Sequence, residues 1–129
     1  MFAFDLKWIS IKPKCLGRQA DMNVVVVFWG GGANIGIAAY DQAAANTRVL
    51  AAEITILITN MVHLGAEPST VHVIGHSLGA HTAGYAGSRL RANHNITLGR
   101  ISGRSLLENR VIISPETNLG LVLFCTKKL

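Results

Sequence analysis

Acidic residues are scarce in this chain: seven Asp and Glu stand against twelve Lys and Arg, a formal charge of +5 over 129 residues. Charged residues of both signs make up only 15% of the sequence and apolar residues half, a balance that excludes an intrinsically disordered chain. Aromatic residues are few, and few of them fall near Arg89, Arg91, Arg100 and Arg104, the nearest approach to a basic cluster. A nucleic-acid-binding module needs a basic stripe on a recognisable fold, so no nucleic-acid partner is expected. The cations read as solvated loop charge. There are two cysteines, Cys15 and Cys125, with no metal-like spacing. They are either one disulfide of a secreted protein or two unrelated buried thiols, and no metal centre is expected. No segment reaches the ~18 uninterrupted apolar residues of a membrane span. The opening MFAFDLKWISIKPKC carries Asp5 and Lys7 inside its apolar stretch and lacks a small-residue cleavage site, so it does not read as a secretory signal. The glycines at 30 to 32 fail the G-x-G-x-x-G test because Ile35 holds the last position, and no Gly-Lys-Ser/Thr follows. A phosphate-binding loop is thereby excluded, and no cofactor is expected.

What is present is an alternation of strand and helix signals. The length fits one domain. Residues 1–22 show no sustained period and are broken by Pro13 and Gly17. Asn23-Val-Val-Val-Val-Phe-Trp29 is a continuous β-branched run, the pattern of a fully buried strand of the kind found in parallel sheets. A Gly-rich loop follows over 30–41. From about Gln42 to Leu64, apolar residues at 50, 54, 57, 58, 61 and 64 form a helical stripe that Gly65 and Pro68 stop. Val71 to Gly75 is a second buried strand, and 78 to about 90 a helix rich in Ala and Gly. This order predicts an α/β layer architecture with a mostly parallel sheet. Beyond Gly103 the character changes. Residues 110–114 and 119–125 could form short strands, without a clear alternation with helices.

The chemistry is concentrated in Val-His-Val-Ile-Gly-His-Ser-Leu-Gly-Ala-His, residues 71–81. Gly75-His76-Ser77-Leu78-Gly79 is G-x-S-x-G placed after a predicted strand and before a predicted helix, the context of a nucleophile elbow. A serine on such a turn is exposed to attack chemistry only if its neighbours are small, and Gly75, Gly79, Ala80, Ala83 and Gly84 meet that need. The catalytic candidates are Ser77 as nucleophile and the Leu78 backbone N–H as an oxyanion donor at the helix N-terminus.

The segments VVVVFWGGGANIG, QAAANTRVLAAEI, VHVIGHSLGAHTAGYAG and LGRISG, in this order and spacing, resemble the central part of the pancreatic-type animal triacylglycerol lipases. The resemblance covers about residues 22–103, leaving 1–21 as a non-matching segment and 104–129 as a divergent tail. It implies a partial α/β-hydrolase fold, hydrolysis of triacylglycerol or phospholipid esters, lipid as substrate or surface, and an extracellular setting. The Asn95-Ile96-Thr97 glycosylation sequon is consistent with that setting.

Several parts of the family pattern are not met. The family's acid follows the LGRI[ST]G residues in a Leu-Asp-Pro-Ala stretch, whereas here Ser105 stands where that Asp would be. Its base histidine lies further downstream, and the last histidine here is His94. The His-Gly-Phe loop that supplies the second oxyanion donor has no counterpart in residues 1–22, and Phe28 replaces the usual Asp before Trp. The pattern is that of a truncated or mis-spliced lipase product. Of the local histidines, His81, one turn beyond Ser77, is the best substitute base, ahead of His72 and His76; the three point apart and form no metal cluster. The expectation is a lipase-family chain with a nucleophile and no base, inactive alone. The alternative is a non-catalytic lipid- or protein-binding lipase relative.

Overall fold

The computed structural model describes residues 5–9, 22–29, 40–104 and 122–127. Five strands form one sheet: β1 (Asp5–Ile9), β2 (Met22–Phe28), β3 (His72–His76), β4 (Arg100–Arg104) and β5 (Val122–Lys127), in the spatial order β1-β2-β5-β3-β4. Two helices, α1 (Tyr40–His63) and α2 (Leu78–His94), and a 3₁₀ turn over Pro68–Thr70 complete the described elements.

Val24 to Val27 are all buried, so β2 is apolar on both faces, as its uninterrupted β-branched run requires. Val25, Val27 and Trp29 join Val73 of β3 in a core with Leu50, Ile54 and Ile58 of α1 and Ala83, Ala86 and Leu90 of α2. The helical period of α1 thus delivers one stripe to the core it shares with α2 and the sheet. Its end is a Schellman motif: Gly65 adopts φ +103°, its N–H bonds the Val62 carbonyl at 3.0 Å, and the Ala66 N–H bonds the Met61 carbonyl at 2.9 Å. Positive φ makes glycine the natural residue there.

The α/β architecture holds, with one correction to the sheet. It is mixed rather than mostly parallel. Among the described strands only β3–β4 pairs parallel, while β1–β2, β2–β5 and β5–β3 are antiparallel. The reason is the position of β5. The strands β2, β3 and β4 run in one direction, but β5 enters between β2 and β3 against both. Two further differences concern the flanks. Residues 1–22, expected to be irregular, supply β1 as an edge strand. The tail strand expected at 119–125 lies at 122–127, and the segment 110–114 falls outside the described residues. Helix α2 also runs past residue 90 to His94. Arg91 and His94 in its last turn complement the helix dipole, and Asn95 closes it in the left-handed conformation at φ 53°, which Asn tolerates better than most residues. Cys15 lies outside the described residues, so its pairing does too.

Candidate active site

Ser77 stands between β3 and α2, buried, at φ 55° and ψ −121°. A non-glycine residue in this region carries backbone strain of about 1–3 kcal/mol, and such strain persists only where the surroundings over-determine it. The surroundings here are two glycines. Gly75 of β3 and Gly103 of β4 are register partners, and together they form the floor on which the first turn of α2 rests. A methyl group on Gly75 would collide with the Gly79 carbonyl and lie 2.7 Å from the Ala80 nitrogen, and one on Gly103 would lie 3.0 Å from the Ala80 Cβ. The serine can therefore bridge strand and helix in one residue because nothing projects from the strands beneath it.

At the start of α2 the first amides have no carbonyl one turn back to bond. The Ala80 N–H reaches the Ser77 carbonyl at 3.0 Å, and Leu78, buried, opens the helix. The turn thus sets a serine beside the positive end of a 17-residue helix, a place where developing negative charge is favoured.

The histidines do not complete it. No hydrogen bond among the described residues joins Ser77 to an imidazole. His81 is exposed on α2. His76 is half-buried, and its buried Nε2 has no hydrogen-bond partner among the described residues. His72 is engaged elsewhere: its Nε2 lies 2.9 Å from the Ser102 Oγ. This cross-strand bond between β3 and β4 joins residues 30 apart in sequence, and the sequence reading missed it. Parallel register was the only signal for it, since His72 pairs with Arg100 and Ile74 with Ser102. Among the described residues no group of His, Cys, Asp and Glu could hold a metal ion.

Burial, and secondarily the charge of Arg100, lowers the His72 pKa below its ordinary 6.5. The folded state therefore binds fewer protons at this site than the unfolded chain. Stability is fully present above about pH 6.5 and declines as pH falls from there toward the lowered folded value. The expected result is a thermal midpoint that drops between pH 7.5 and 5.5 more steeply in the native chain than in His72→Gln. Parallel pH profiles for the two proteins would remove His72 as the cause.

Comparison with known proteins places this geometry in context. A family model described as Lipase matches residues 3–108. Pancreatic triacylglycerol lipase of Homo sapiens is 42% identical over 110 residues, 84% of this chain and 22% of that protein. Pancreatic lipase-related protein 2 of Cavia porcellus is 41% identical over 110 residues, 84% of this chain and 24% of that protein. The chain thus spans about a quarter of the length of the curated relatives it matches. No solved structure matches the chain.

Proposed function

The chain belongs to the pancreatic-type lipase family, and from that premise we propose that Ser77 holds the nucleophile position of a carboxylic ester hydrolase site acting on triacylglycerol or phospholipid esters. The observation that carries this reading is the strained Ser77 turn, seated on Gly75 and Gly103 at the N-terminus of α2. In this reading the Leu78 N–H is one oxyanion donor, and β2, β3, β4 and the two helices are part of an α/β-hydrolase fold. In this reading the site and its supports lie within residues 22–103, the partial hydrolase domain, and the segments 1–21 and 104–129 on either side each add a strand to its sheet. The reaction class requires no cofactor or metal. Lipid as substrate or surface and an extracellular location follow from the family. Among the described residues no helix is long and apolar enough to cross a membrane.

In this reading Ser77 holds the nucleophile position with no histidine bonded to it among the described residues. Attack by a serine hydroxyl at neutral pH requires a base to take its proton, and among the described residues neither His76 nor His81 hydrogen-bonds to Ser77. Removing the base of a hydrolytic triad leaves only roughly 10³–10⁴-fold catalysis over water, and a missing oxyanion donor costs a further ~10²–10³ where the rest of the machinery is intact. The purified chain should therefore label with a fluorophosphonate no faster than Ser77→Ala. Robust labelling of the native chain that Ser77→Ala abolishes would overturn the inactivity. Absent labelling together with saturable binding to phospholipid vesicles would assign the chain to the non-catalytic, lipid-binding branch of the family.

A further inference from the structure

Helix α1 is apolar on two sides. Its inner stripe, including Leu50, Ile54 and Ile58, is spent on the core. A second stripe faces away: Ala45, Val49, Ala52, Ile56, Thr59 and His63 are exposed or half-buried, with Val49 at 51% and Ile56 at 55% exposure. Their spacing is four, three, four, three, four, the seam of two helices packed side by side over about two heptads. A helix with a single buried face needs no such outer seam.

Charge says what fits it. Taking Val49 and Ile56 as the first core positions of successive heptads, Arg48 and Glu53 flank the seam on opposite sides, five residues apart. In a parallel, in-register pair, that is the spacing at which a residue on one helix meets its oppositely charged counterpart on the other. An antiparallel pair would instead bring like flanks together, so Arg48 and Glu53 would lie on different sides of the seam and not meet. The Arg48 guanidinium already sits 5.4 Å from the centroid of the Tyr85 ring, which holds it at the edge of the seam.

We propose that the outer face of α1 is a self-association surface, on which a second copy of this chain packs its own α1 in parallel, closed by two Arg48–Glu53 pairs. The seam runs over only about two heptads with small residues at every second core position, so the dimer is weak. It does not depend on the hydrolase reading, because no residue of the Ser77 site takes part.

Sedimentation of the full chain across a concentration series should show a monomer–dimer equilibrium. Ile56→Glu should weaken it at least ~10-fold while leaving circular dichroism and the melting temperature unchanged, because Ile56 lies outside the core. Arg48→Glu should weaken it, and Arg48→Glu combined with Glu53→Arg should restore it. Under oxidation, Val49→Cys should yield dimers in which peptide mapping finds a 49–49 disulfide. A monomer at every concentration, or a dimer indifferent to Ile56→Glu, would overturn the proposal. A monomer whose binding to phospholipid vesicles is lost in Ile56→Glu would also overturn it and assign the face to lipid.

Discussion

Gly75→Ala should lower the melting temperature by roughly 10 °C or more, whereas Gly84→Ala, nine residues on, should leave stability unchanged or slightly raised. Both substitutions add one methyl group. At Gly75 the methyl meets backbone, the Gly79 carbonyl and the Ala80 nitrogen, and no side-chain rotation can make room. Either α2 lifts from the sheet or β3 shifts out of register with β4 and β5. Overpacking that rotamers can absorb costs about 1–3 kcal/mol, and a clash with fixed backbone lies at or beyond that upper end. For a chain of this size the loss corresponds to a fall in melting temperature of roughly 10 °C or more. At Gly84 no atom lies within 4 Å of the added methyl. There the substitution only removes glycine's entropic penalty in a helix, a gain of up to about 1 kcal/mol. Thermal melts of the two variants side by side check the argument. If Gly75→Ala melted within about 2 °C of the native chain, the close seat of α2 on the strands would not be what holds the strained Ser77 turn.

That seat was legible in the sequence, because each of its parts is a local signal. Four consecutive valines identify a strand buried on both faces, Gly65 and Pro68 mark the end of α1, and small residues around Ser77 announce a tight strand-to-helix crossing. Other features depend on partners that a linear reading does not supply. β1 spans only Asp5–Ile9, too short for its period to stand out beside Pro13 and Gly17, and its strand character comes from pairing with Val24–Phe28. The tail strand was visible as an apolar segment near its true position. Its slot and direction were not, since insertion between β2 and β3 is decided by which backbone edges are left open. The His72–Ser102 bond is of the same kind, existing only once β3 and β4 take up their parallel register. The glycine turn was thus readable from local chemistry, and so was the expectation of a serine without a base, whereas what His72 bonds instead needed coordinates.

The insertion of β5 carries the second large expectation. A chain lacking residues 122–129 should fail to fold cooperatively, while one lacking residues 1–9 should fold with reduced stability. β5 pairs with β2 from Met22 to Val27 and with β3 from His72 to Gly75, and among the described residues it is the only strand linking the β1–β2 ladder to the β3–β4 ladder. These are six and four register pairs. At about 1 kcal/mol net for each backbone hydrogen bond, the two ladders together are worth on the order of 10 kcal/mol, comparable to the entire stability of a typical domain. Their loss also leaves N–H and C=O groups unpaired along Val24–Val27 and Val73, where the side chains are buried and solvent is poorly placed to replace the lost partners. Removing β1, by contrast, costs one edge ladder of five pairs and leaves β2 still bonded on its inner side. Circular dichroism melts should separate the two truncations, and amide exchange should show protection at Val25 and Val73 lost in the first and kept in the second. A cooperative melt with those amides still protected in the chain lacking 122–129 would mean that α1 and α2 alone hold β2 beside β3. The tail would then be an addition to the sheet rather than its central member.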